Sequence, residues 1–167
     1  MSRSPSIAFF AALAFSASLI AQEHAGDKGE TADAKKLTGR TAAPTAAQID
    51  ASVDLDALLK KGQKELSQDK GAAVEGYVVQ VEKEEDGDVH LVLANAKGET
   101  DTRKWVIVEV TPDGQKNKGM DFDELEKLRG KKVRATGWLY WEPDEDQPDP
   151  RGTRWELHPV TSIAPAR

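Results

Sequence analysis

The chain contains no cysteine. Disulfides, thiol nucleophiles, iron–sulfur clusters and cysteine-ligated zinc are therefore excluded, and the fold must stand on its apolar core alone. Histidine is scarce, with three residues in 167: His24, His90 and His158. Beyond the first twenty residues the only serines are Ser52, Ser67 and Ser162, none with an identifiable base beside it. There is no G-x-S-x-G elbow, no H-E-x-x-H helix and no phosphate-cradling glycine loop, so the common sequence signatures of hydrolases and nucleotide enzymes are missing. Positive charge is also in deficit: 23 basic against 29 acidic residues give a formal charge of −6. That balance favours solubility and opposes casual binding to nucleic acid or anionic lipid.

One apolar run is present, Ile7–Ile20, preceded by Arg3 and followed by small residues up to Ala21-Gln22. It reads as a secretory signal peptide over residues 1–21, too short and too rich in Ala and Ser for a spanning helix. The product is expected in the periplasm or outside the cell, with no membrane insertion after cleavage. No cysteine stands near the cleavage point to carry a lipid. Removal of Arg3 with the leader leaves 22 basic and 29 acidic residues, a charge of −7. Residues 22–50 are Ala, Thr, Gly, Lys and Asp with little periodicity and read as a flexible spacer. His24 is there a solvated side chain. Residues 51–167 form the remaining unit.

That unit begins with a helical pattern over Val53–Leu66. Leu55, Leu58, Leu59 and Leu66 share one face, Ser52 or Asp54 can cap it, and Gly62 weakens its middle. Three Val-rich runs follow within Gly71–Val110, each alternating with period two, as half-buried strands do. Asp86-Gly87 invites a two-residue turn that would set Val81 against Val92. A one-residue slip sends every side chain to the other face, so the pattern can choose the register. Val81 with Leu91 and Val79 with Leu93, across a longer loop at Glu84–Asp88, brings the apolar residues together. Leu91 then faces Val108, Leu93 faces Val106, and Val89 faces Val110. This buries Tyr77, Val79, Val81, Val89, Leu91, Leu93, Val106, Val108 and Val110. Gln80, Glu82, His90, Val92, Trp105, Ile107 and Glu109 take the opposite face.

Downstream, Asp121 and Glu124 make a capping box, Met120 and Leu125 a hydrophobic staple, and Phe122, Leu125 and Leu128 a buried stripe ending at Gly130. This predicts a helix over Asp121–Arg129. Strand four, Lys131–Trp141, sets Val133, Ala135, Gly137, Leu139 and Trp141 against Arg134, Thr136, Trp138 and Tyr140. Gly137 marks a bend. The connection Glu142–Gly152 holds three prolines and five acidic residues. Strand five is Arg154–Ile163, with Trp155 and Leu157 on one side, Glu156 and His158 on the other, and an edge or bulge at Pro159. Three strands, a helix and two strands are the element order of the five-stranded OB barrel, here all-β with the helix between strands three and four and an N-terminal covering helix.

The phrases DGDVHLVL (Asp86–Leu93), IVEV (Ile107–Val110) and WELHPVTSI (Trp155–Ile163) resemble a largely uncharacterised family of small exported bacterial OB-like proteins. The resemblance spans Val74–Ile163 and implies fold and export; no settled activity travels with those phrases. His90, Glu109 and His158 match its recurrent polar positions.

The function expected is an exported, non-catalytic binding or structural module for a protein, peptide or envelope component. Single-stranded nucleic-acid or oligosaccharide binding and metal-dependent hydrolysis are the alternatives, and no cofactor is indicated. Trp105, Trp138, Tyr140, Trp141 and Trp155 offer stacking surfaces, with Arg103, Lys104, Arg134, Arg151 and Arg154 as local positive charge. The acidic stretches Glu82–Asp88 and Asp144–Asp149 oppose phosphate, making nucleic acid an unfavoured partner. The candidate ligand-binding residues are His90, Glu109, His158, Trp105 and Trp138. The register sets Glu82 and Glu109 on either side of His90, either as a cross-strand charged network or as metal ligands, with His158 as a fourth member. The same register makes Leu91→Asp a buried unpaired charge, expected to cost about 4 kcal/mol or more. A urea unfolding midpoint equal to that of the parent would refute the register.

Overall fold

The computed structural model describes residues 32–143 and 151–166. The leader, residues 22–31 of the spacer and most of the acidic connection, residues 144–150, lie outside the described residues. The elements are α1 (Ala32–Thr38), α2 (Leu55–Lys60), β1 (Gly71–Lys83), β2 (Val89–Ala94), β3 (Val106–Val110), α3 (Phe122–Glu126), β4 (Lys132–Trp141) and β5 (Trp155–Pro165). The strands close a barrel in the order β1-β2-β3-β5-β4, with β4 returning to β1, and β3 and β5 run parallel. The protein is thus an OB-like barrel with α3 between strands three and four and α1 and α2 ahead of strand one. Among the described residues no helix is long and apolar enough to cross a membrane.

The preferred hairpin register is present: Val81 faces Leu91, Glu82 faces His90, and Leu91, Leu93 and Val89 face Val108, Val106 and Val110. One half of β1 differs. Leu93 faces Val78, not Val79, because the register shifts between Val78 and Gln80. The extra residue is a bulge, and it exchanges faces on its N-terminal side. Val74 and Val78 therefore enter the core, while Tyr77 and Val79 are only half-buried. The backbone of Val78 turns to the α3–β4 connection instead, donating to Lys131 O at 3.0 Å and accepting from Gly130 N at 2.7 Å. Gly130 sits at φ +72°, where a residue with a Cβ is disfavoured. With the bulge, β1 pairs with β4 through its first half and with β2 through its second.

The two ends of the barrel are covered by short helices. Asp54 caps α2 by accepting from Ala57 N at 2.7 Å, and Leu55 and Leu58 enter the core. This helix ends at Lys60; a 3-10 turn, Gln63–Glu65, replaces the rest of the span expected to Leu66. Gly62 separates the two. Contacts of Asp56 with Asn95, of Leu58 O with Thr153 and of Gly62 O with Trp155 place this segment where β2 ends and β5 begins. At the opposite end, α3 is capped by Asp121, which accepts from Glu124 N at 3.1 Å. The Glu124 carboxylate pairs with Lys127, so the cap is one-sided, and the helix stops at Glu126 before a turn through Gly130. Leu125 and Met120 are buried; Phe122 and Leu128 are partly so.

The described part of the expected spacer, residues 32–50, is tied to the barrel. The Arg40 guanidinium lies 4.4 Å above the Trp138 ring, Trp138 Nε1 donates to Ala42 O at 2.8 Å, and Ile49 bridges Gly71 in parallel. Isolated anchors hold this segment without any periodic apolar face, hence its spacer-like sequence.

In β5 the bulge falls where Pro159 announced it: Leu139 faces Leu157 but Gly137 faces Val160. The strand continues paired with β4 to Pro165, so it is bulged and not an edge. Gly137 is the bend residue, and a Cβ there would stand 2.7 Å from Pro159 O and 2.9 Å from Val160 Cα. Both obstacles are backbone. Gly137→Ala is expected to lower stability by about 1–3 kcal/mol through forced strand separation, read as a shift of the urea midpoint; no shift would mean the β4–β5 contact is looser than this geometry.

Candidate metal centre

The outer faces of β2, β3 and β5 carry a row of ionisable residues. The antiparallel pairing sets His90 opposite Glu109, and the parallel pairing of Val108 with Leu157 brings the next residue of each strand, Glu109 and His158, side by side. His90 Nε2 lies 3.1 Å from Glu109 Oε2, and His158 Nε2 lies 3.1 Å from Glu109 Oε1. One carboxylate thus spans two imidazoles from different strands. His90 Nδ1 faces Glu84 Oε1 at 3.4 Å. Glu82, although opposite His90 in register, has its carboxylate engaged by Gln80.

Asp88 completes the cluster from the position just before β2. Its N–H donates to Asp86 Oδ1 at 3.0 Å, and the loop behind it is braced by Gln115 Nε2, which donates to Gly87 O at 2.8 Å and to Val110 O at 3.3 Å. Asp88, Glu109 and His158 each offer one ligand atom, all within 4.8 Å of one another. Beside them Tyr140 meets the His158 ring edge-on at 5.5 Å, and the buried Glu156 pairs with Arg151, which also pairs with Glu142.

Although these residues face outward from the barrel, Glu109 is only 6% exposed and Glu156 3%. Burial pushes the Glu109 carboxyl well above the usual carboxylate range, and the hydrogen bond with Asp88 and the charges of Glu156, Asp88 and Asp86 push the same way. A buried carboxyl under this pressure retains a proton or acquires a cation.

The structure brings together His90, Glu109 and His158 from the expected set and adds Asp88 and Glu84. Asp88 stands two residues ahead of His90 but just before β2, in a turn-rich string that gives no strand signal. Trp105 and Trp138 lie apart from the cluster. Trp105 Nε1 donates to Glu99 O at 3.2 Å beside the turn into β3, and Trp138 is covered by Arg40 and Ala42.

No family model and no curated protein matches this chain. Two solved structures of Entamoeba histolytica asparaginyl-tRNA synthetase are similar to it. One is 13% identical with a TM-score of 0.43, covering 60% of this chain and 21% of that one. The other, in complex with asparaginyl-adenylate, is 14% identical with a TM-score of 0.45, covering 72% and 23%. The OB-like assignment rests on the strand order and register of the chain itself.

The direction of the Glu109 shift fixes a pH dependence for metal-free protein. A carboxyl whose folded pKa is raised contributes stability that is fully present below its unfolded value near 4.5 and lost as pH rises through the folded value. Glu109→Gln cannot ionise and escapes that loss. In chelator-treated samples, the unfolding free energy of Glu109→Gln relative to the parent is expected to rise between pH 4.5 and pH 7.5; a constant difference would contradict it.

Proposed function

We propose that the mature chain is an exported binding module whose ligand is a single divalent metal ion of the zinc class, held by Asp88, Glu109 and His158. One observation carries this reading: three donors, from the residue before β2 and from β3 and β5, converge within 4.8 Å around a carboxylate that burial makes costly as a bare anion. Metal–ligand bonds of about 2 Å fit such a cluster after small side-chain shifts, and a mixed imidazole–carboxylate set suits zinc better than calcium, which takes about 6–8 oxygens. Export rests on the leader composition, and kinship with the exported OB-like family on the three phrases that resemble it. Binding of nucleic acid is disfavoured by the acidic balance and by the pairing of Arg103 with Asp101, Lys104 with Glu99 and Arg134 with Glu75.

A second reading is a metal-dependent hydrolase. It is favoured by the number of donors, since three protein ligands with water completing the shell is the usual arrangement of catalytic zinc. Both readings are tested on mature protein without a histidine tag in metal-free buffer, titrated with zinc and with calcium by calorimetry. Saturable one-site zinc binding is expected, abolished by Glu109→Ala and by His158→Ala and retained in Trp105→Ala. Absence of zinc binding by the folded parent defeats both readings. Zinc-dependent turnover of p-nitrophenyl acetate, lost in His158→Ala, would select the second.

A further inference from the structure

The ligand set named above omits His90, although His90 touches two carboxylates. Its Nε2 is 3.1 Å from Glu109 Oε2 and its Nδ1 is 3.4 Å from Glu84 Oε1. Either ring nitrogen could reach a metal only by giving up one of those partners. The other oxygen of Glu109, Oε1, faces His158 Nε2. The two oxygens of one carboxylate thus have different neighbours, one on each adjoining strand. The strands supply this division: Glu109 sits on β3 between β2, which carries His90, and β5, which carries His158.

Resting on the metal reading of Asp88, Glu109 and His158, we propose that His90 is a positioning residue for Glu109 and stands outside the ligand set, with Glu84 holding His90 in turn. An N–H from His90 Nε2 fixes the plane of the Glu109 carboxylate and presents Oε1 on the side of Asp88 and His158. Glu84, on the loop after β1, keeps the imidazole from rotating away. Outer partners of this kind orient a ligand and alter its basicity, and their removal typically lowers metal affinity about 10–100-fold without changing the donors. A fourth ligand would behave otherwise, because its loss changes the donor set itself.

Cobalt(II) separates the two roles, since its visible d–d bands report the number and type of donors. The mature parent, His90→Gln, His90→Ala and Glu84→Gln are titrated with cobalt chloride, with folding checked by circular dichroism and unfolding midpoint. His90→Gln retains an amide N–H donor for Glu109, so it is expected to keep the parent spectrum and stoichiometry with affinity reduced about tenfold or less. In His90→Ala the same spectrum should accompany a reduction of about 10–100-fold; Glu84→Gln should fall between that variant and the parent. Displaced or intensified bands in either His90 variant would make His90 a ligand and overturn the proposal. An unchanged affinity in folded His90→Ala would overturn it as well. If His90→Ala does not fold, the spectrum and affinity of His90→Gln decide. A folded parent that binds neither cobalt nor zinc defeats the metal reading itself, an outcome distinct from a parent that binds and a His90 variant that changes the bands.

Discussion

β3 and β5 meet through the parallel pairing of Val108 with Leu157, and both the barrel and its candidate site depend on that contact. Inside, it seats two apolar side chains in the core and closes the sheet. Outside, it places Glu109 beside His158, two residues separated by almost fifty positions in sequence. The antiparallel pairing of β2 with β3 then adds His90 from the other flank. A register error of one residue at either junction would turn these side chains inward and the valines outward, so the core specifies the outer cluster as firmly as itself.

Holding ionisable groups in such a place is electrostatically demanding. Glu109 and Glu156 are nearly as covered as core residues, yet they lie on the convex side of the sheet. Arg151 compensates Glu156, and a pair so buried is strongly destabilising to break, by about 3–5 kcal/mol for loss of one partner. Among the described residues no arginine contacts Glu109; it meets two imidazoles and the Asp88 carboxyl, with Glu156 and Asp86 nearby. The surroundings of these two glutamates therefore differ, one facing a guanidinium and the other two imidazoles and a carboxyl. That asymmetry sets the Glu156 ion pair apart from the candidate site around Glu109.

Much of this arrangement was legible in the chain. Alternation alone set Val81 against Leu91 and Leu91 against Val108, and thereby aligned His90 with Glu109. The bulge in β1 was not, because adjacent Val78 and Val79 satisfy an apolar pattern in either phase, and the choice comes from a hydrogen-bonding partner fifty residues away at Gly130 and Lys131. Glu82 was the carboxylate assigned to His90, since register reports backbone neighbours; rotamers and competing bonds then gave the contact to Glu84. Asp88 was hidden by its place in a turn-rich string, where an aspartate ordinarily serves the backbone. The Arg40–Trp138 stack is a single contact without period and leaves no pattern to read.

The segment around Gln48 and Asp50 does more than decorate the barrel. Gly71 N donates to Gln48 O at 3.0 Å and Gly71 O accepts from Asp50 N at 2.8 Å, so the first residue of β1 has both backbone groups satisfied by chain that precedes the barrel. Pro44 packs against the same glycine. A chain trimmed to begin at residue 51 would keep all five strands but bare those two groups as an open sheet edge, the kind of template on which strands of separate molecules pair. The contacts of the barrel therefore reach back to Pro44, into a stretch whose composition reads as linker.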